Sequence, residues 1–313
     1  MKILAAFRLC LLCLFIGYLG IGCKQSSKEK VFTHSSSLRI VATTGIVGDA
    51  VKNIVLNKAE VNVLMGPGVD PHLYKASQKD LELLSKADVI FYNGLHLEGK
   101  MAEVLEKLKK QKKIVAIAEA IPVNKLIKVG ENENLYDPHV WMDVSLWKYA
   151  VIECARVLQS IDTSNAAFYK QNLDNYLQAL DSLDAYIETE IAKIPSIPRV
   201  LITAHDAFSY FSRRYHIEVK SLQGISTVAE FGLRDITNLV DFIVARKIKA
   251  VFMESFIPER SIRAVIEGCK AKNHEVKLGG VLFTDALGAE GTPEGTYIGM
   301  LKANVKTITD GLR

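Results

Sequence analysis

Three histidines and one aspartate have the residue types and placing for metal chemistry. Asp70-Pro71-His72 and Asp137-Pro138-His139 repeat one tripeptide, His205 follows an apolar run, and Asp285 sits in the loop Phe283-Thr-Asp-Ala-Leu-Gly. In both tripeptides the proline stiffens the backbone just before the imidazole, which helps to fix a ligand. Three neutral imidazoles and one carboxylate suit Zn²⁺, Mn²⁺ or Fe²⁺. Each residue also has a plain structural reading: Asp-Pro-His as a turn, Asp285 as a turn acid, His205 as part of a helix N-cap region. Glu254, directly after the apolar run 250–253, is placed to accept an imidazole N–H, with an ion pair or a helix cap as the other readings. His96, in Asn93-Gly-Leu-His-Leu-Glu, follows a strand and could line a cleft, but reads as structural; His34, His216 and His274 read as surface residues.

These side chains need elements to hold them. Strands are expected at 38–42, 61–65, 88–92, 113–117, 199–203, 217–221, 250–253 and 275–281, and helices at 45–56, 78–86, 97–110, 146–161, 206–215, 233–247, 260–272 and 297–312. Ser77 with Asp80 resembles a capping box opening the helix from Gln78. Strands alternating with helices of this length indicate parallel sheets, and ligand sites in such sheets form beyond the carboxyl ends of the strands. His72, His139 and His205 all fall after strands or in loops beyond them, the second in a longer irregular segment, 122–144. The alternation occurs twice, on either side of one long helix at 164–194. Its apolar residues Tyr169, Leu173, Tyr176, Leu180, Leu183, Ile187, Ile191 and Ile194 recur every three or four positions, no Gly or Pro interrupts it, and Pro195 follows it. At ~1.5 Å per residue it spans roughly 45 Å, enough to act as a spine between two α/β lobes.

The chain has 313 residues, 49% hydrophobic and 24% charged, a globular composition with room for about two domains. Its start differs: Met1, Lys2 and Arg8 precede the apolar run 9–21, and Gly22-Cys23 leads into a polar segment. A basic start, an apolar core and a small residue describe a secretory signal. With cysteine next, it matches a bacterial lipoprotein signal, with Cys23 the lipidated first residue, although Gly20 stands where Leu is usual. The expected organisation is signal 1–22, tether 23–37, first lobe 38–163, connecting helix 164–194 and second lobe 195–313. Loss of 1–22 removes Lys2 and Arg8, lowering the formal charge from +4 to +2, a balance that does not indicate nucleic acid. Cys10 and Cys13 lie in the signal, and Cys154 and Cys269 sit in separate helices without disulfide or zinc-knuckle spacing.

Several segments together carry a family resemblance: 65–74 (Met-Gly-Pro-Gly-Val-Asp-Pro-His-Leu-Tyr), 93–98, 137–143 (Asp-Pro-His-Val-Trp-Met-Asp), 203–211 and 295–300. In order, across nearly all of 38–313, the chain resembles the metal-binding solute-binding proteins of bacterial ABC importers, the TroA/PsaA/ZnuA family, and is most similar to its TroA-like members. The resemblance implies two α/β lobes joined by one long rigid helix, with the metal in the cleft between them. By motif, His72 and His139 are the ligands from the first lobe, and His205 and Asp285 those from the second. Some manganese binders of the family have Glu at the third position, where this chain has His205. Zinc-specialised members carry a His- and acid-rich loop before the second ligand; residues 125–136 contain no histidine, which argues against a dedicated zinc scavenger and leaves manganese, zinc and iron open.

The resemblance implies a monomeric receptor outside the cytoplasmic membrane, lipid-anchored, delivering one divalent ion (Mn²⁺, Zn²⁺ or Fe²⁺) to an ABC permease and its ATPase. Two other classes compete. An envelope metallohydrolase needs an open coordination position and a general base, and the chain has no His-Glu-x-x-His, so no enzyme activity is expected. An adhesin is compatible with a lipid anchor, but no repeat or low-complexity arm supports it.

Overall fold

The strand β1 (Leu38–Thr44) starts the described part of the chain and buries both of its faces. Ile40 and Ala42 pack on α1 (Gly45–Val55), while Val41 joins Ile90, Leu84 and Leu105 on the other side. A parallel strand covered on both faces reads as a continuous apolar run, which is why this segment shows no alternation. The computed structural model describes residues 37–130, 135–195 and 199–313. The expected signal at 1–22, Cys23, His34 and the expected tether up to residue 36 lie outside the described residues.

β2 (Ala59–Met65), α2 (Gln78–Lys86), β3 (Val89–Tyr92), α3 (Ala102–Lys109) and β4 (Lys113–Ala116) complete a four-stranded parallel sheet of order β2-β1-β3-β4. The capping box is present: Asp80 N–H donates to Ser77 Oγ, and Ser77 N–H donates to the Asp80 carboxylate. After β4 come short 3-10 turns and one antiparallel bridge, Lys128 to Tyr136, before α4 (Val144–Ile161).

The spine is α5 (Ala166–Ala192), at ~1.5 Å per residue about 40 Å long. It is shorter than 164–194 at both ends. Thr163–Asn165 forms a 3-10 turn, and the helix stops three residues before Pro195. All eight expected stripe residues are buried. Its first half meets the first lobe, where Asn172 Nδ2 donates to the Ile54 carbonyl at 2.8 Å and the Tyr176 hydroxyl to Asp49 at 3.0 Å. Further along, Asp184 accepts the Tyr215 hydroxyl at 2.8 Å and the Arg214 guanidinium at 2.5 Å, both from the second lobe.

The second lobe contains β5 (Val200–Thr203), α6 (Ser209–Tyr215), β6 (Glu218–Ser221), α7 (Leu233–Arg246), β7 (Ala250–Glu254), α8 (Arg260–Ala271), β8 (Lys277–Leu282) and α9 (Tyr297–Leu312). β5 pairs with β6 and β7 with β8, all parallel, and β5 runs beside β7. The two pairs form separate two-stranded sheets. The lobes are not separate bodies: one apolar cluster joins Trp147 and Leu158 of α4, Leu180 and Ile187 of α5, Phe211 of α6 and Met300 of α9. No helix among the described residues is long and apolar enough to cross a membrane.

Candidate metal centre

Each candidate side chain is positioned by a local device. Past β2, Asp70 turns its carboxylate onto the His72 backbone N–H at 2.8 Å, and Asp137 does the same for His139 at 2.9 Å. A side-chain oxygen accepting the N–H two residues on is an Asx-turn, with the intervening proline fixing φ. Asp137 goes further and meets His139 Nδ1 at 2.7 Å. Tyr210 of α6 donates its hydroxyl to the Asp137 carbonyl at 2.9 Å, so the second lobe helps hold this loop.

His205 follows β5. The N-cap of α6 is Phe208, so His205 lies before the helix and not at its cap. Glu254, at the end of β7, accepts the backbone N–H groups of Ala204 and His205, both at 2.8 Å, and faces His205 Nδ1 at 2.5 Å. It also accepts the Thr284 hydroxyl at 2.9 Å, next to Asp285. Trp141 Nε1 donates to the Thr284 carbonyl at 2.8 Å from the other lobe, and the Tyr297 hydroxyl donates to the Trp141 carbonyl at 2.7 Å.

The four candidates converge. His72, His139, His205 and Asp285 are all buried, and one donor atom from each lies within 4.8 Å of all the others. The Nε2 atoms of His72, His205 and His139 stand 3.2, 3.4 and 3.5 Å from Asp285 oxygens. A tetrahedron with ligands ~2.1 Å from its centre has edges of about 3.4 Å, so these separations are those of donors sharing one ion. Those three nitrogens and both Asp285 oxygens are buried without a hydrogen-bond partner. Orphaned polar atoms are costly inside a protein, and five of them facing one point form a place for a cation. Asp285 turns one oxygen to His72 and His205 and the other to His139, so it can bind through one oxygen or both.

The electrostatics agree. Burial opposes charge on His139, but Asp285 and then Asp137 outweigh it and push the pKa up to about 9. Burial likewise opposes charge on His205, and Glu254 and Asp285 hold it well above the ordinary imidazole range. Asp285 is held well below the usual carboxylate range: burial favours its neutral form, but the nearby His205 and His139 prevail. Three buried acids, Asp137, Glu254 and Asp285, therefore face imidazoles with positive charge that a metal ion can supply instead.

Glu254, expected from the sequence as an acceptor for an imidazole N–H, lies 2.5 Å from His205 Nδ1. Asp137, Thr284 and Trp141 were not singled out from the sequence. Only Asp137 left a trace there, as an acid two residues before a histidine. His96 is exposed at φ 66° and lines the mouth of a cavity of about 200 Å³ that reaches His72. A larger neighbouring cavity of about 440 Å³ also reaches His96 but none of the four converging side chains. His216 is exposed, whereas His274 is half-buried and sits 2.6 Å from the Ile248 carbonyl through Nε2.

The sequence profile of the family described as "Zinc-uptake complex component A periplasmic" matches residues 40–311. The "Manganese-binding lipoprotein MntA" of Bacillus subtilis is 49% identical over 300 residues, covering 96% of this chain and 97% of that protein. The "Zinc-binding protein TroA" of Treponema pallidum is 47% identical over 273 residues, covering 87% of this chain and 88% of that protein. The solved structure of the periplasmic zinc-binding TroA from Treponema pallidum superposes with a TM-score of 0.85 at 46% identity, over 87% of this chain and 98% of that one. A match across nearly every described residue, with the two-lobed architecture in common, places this chain in the ZnuA/TroA/PsaA family of metal-binding substrate-binding proteins.

Proposed function

We propose that this protein is the extracytoplasmic receptor of a metal importer: it takes up one divalent transition-metal ion, Mn²⁺, Zn²⁺ or Fe²⁺, on His72, His139, His205 and Asp285. It then hands the ion to the permease of an ABC transporter driven by its ATPase. Lipid on Cys23 tethers it, as a monomer, to the outer face of the cytoplasmic membrane. The observation that carries the reading is the set of five buried donor atoms facing one point without hydrogen-bond partners. Three nitrogens and a carboxylate fill the positions of a closed site, whereas a hydrolytic centre keeps one for water. A carrier needs no such opening.

Identity does not choose among the ions, since the relatives at 49% and 47% are named for manganese and for zinc. Ligand geometry and metal availability decide that question. Elemental analysis of protein purified without chelator, followed by competition among Mn²⁺, Zn²⁺ and Fe²⁺, tests the function. One equivalent per chain, lost in His139→Ala, is the expected result; absence of stoichiometric metal under all three ions contradicts it.

A further inference from the structure

The three imidazoles are not held alike. His139 and His205 each set Nδ1 against a buried carboxylate, Asp137 at 2.7 Å and Glu254 at 2.5 Å. Among the described residues, no carboxylate other than Asp285 approaches a ring nitrogen of His72. His72 is fixed instead through its backbone N–H, by one oxygen of Asp70 at 2.8 Å. The other Asp70 oxygen accepts the hydroxyl of Thr227 at 2.7 Å, 157 residues further along the chain. Thr227 lies on the segment between β6 and α7, in the opposite lobe. His72 also borders the cavity of about 200 Å³, which Leu95 and His96 line from the first lobe and Ser226 and Ala229 from the second. The imidazole with the weakest support of its own is thus the one beside the opening, and a cross-lobe hydrogen bond ties down its loop.

We propose that the Thr227–Asp70 hydrogen bond is the latch that sets how long the ion stays. Thr227 is a positioning residue: it holds Asp70, Asp70 holds the His72 backbone, and no atom of Thr227 is needed on the metal. Breaking the bond frees the segment 66–77 to draw His72 away, while His139 and His205 stay backed by Asp137 and Glu254. The inference rests on the metal-receptor reading, and its experiment separates the two. A hydrogen bond to a charged acceptor at a half-exposed position is worth about a tenfold change in a rate.

The test is stopped-flow transfer of Zn²⁺ from the loaded full chain to excess chromogenic chelator, for wild type, Thr227→Val, Thr227→Ser, Asp70→Ala and the Asp70→Ala/Thr227→Val double variant. Thr227→Val is expected to release Zn²⁺ about tenfold faster. Thr227→Ser, which keeps the hydroxyl, should stay within about twofold of wild type, and both single Thr227 variants should load one ion per chain. In the Asp70→Ala background the valine should add nothing, because its partner is already gone. Valine and serine releasing equally fast, valine releasing at the wild-type rate, or valine acting undiminished without Asp70 would each overturn the latch while leaving the metal site standing. Failure of the wild type to load one Zn²⁺, Mn²⁺ or Fe²⁺ ion per chain would overturn both.

Discussion

Glu254 holds His205 from two directions: one of its oxygens accepts the His205 backbone N–H at 2.8 Å and the other faces the ring Nδ1 at 2.5 Å. The second oxygen also accepts the Thr284 hydroxyl, one residue before Asp285. One buried carboxylate therefore positions two of the four converging side chains. Glutamine in its place must turn an amide N–H toward donors. Glu254→Gln is expected to weaken metal binding about 10–100-fold, the usual cost of losing such a partner. Competition against a fluorescent chelator measures it, and unchanged affinity would contradict this role.

Protons compete with the metal. In the metal-free protein His139 is raised from 6.5 to about 9, so its protonated form contributes stability that is fully present below about 6.5 and lost as pH rises through 9. A metal requires the neutral ring. Affinity is therefore expected to climb with pH across that window, where a free imidazole would already have levelled off near its ordinary value. At neutral pH, binding should expel about one proton or more per ion. Titration calorimetry in buffers of different ionisation enthalpy reads this directly, and binding without proton release would refute it.

Much of this was legible from local pattern. The buried stripe of α5 from Tyr169 to Ile191 is the apolar period read as geometry, α2 begins after its capping box, and α9 spans the residues expected of it. The repeated Asp-Pro-His tripeptide marked two ligand candidates through the proline that stiffens the backbone before each imidazole, and in the structure each turn is closed by its own aspartate. The sequence could not say that only Asp137 would also meet its histidine's ring, nor that the Tyr210 hydroxyl, 73 residues away, would bond the Asp137 carbonyl. Trp141 to Thr284 and Thr227 to Asp70 are 143 and 157 residues apart, and no spacing rule announces such pairs. The start of α6 at Ser209 was misplaced because Asp206 and Ala207 favour a helix, while their N–H groups bond the Gly224 and His205 carbonyls instead.

Metal should stabilise the fold by mass action. An ion at about 1,000 times its dissociation constant adds ~4 kcal/mol, several degrees in melting temperature. Asp285→Ala is expected to lose that increment while remaining folded without metal. Calorimetric scans with and without Zn²⁺ decide it: an undiminished rise in the variant would place the stabilising ion elsewhere.

The shared core should make the spine essential to stability without touching the site. Leu180 is fully buried in α5, and Leu180→Ala is expected to cost about 2–5 kcal/mol through the cavity it leaves. A denaturant midpoint shift with one metal ion still bound per chain is the expected pattern. A loss under about 0.5 kcal/mol, the range of surface changes, would contradict the packing described for this helix.

Anomalous diffraction from crystals of the protein grown with Mn²⁺ or Zn²⁺ addresses the central claim most directly. The account predicts one strong peak per chain, about 2.0–2.2 Å from the Nε2 atoms of His72, His139 and His205 and from the Asp285 carboxylate. A peak at any other set of side chains, or none between the lobes, would contradict it.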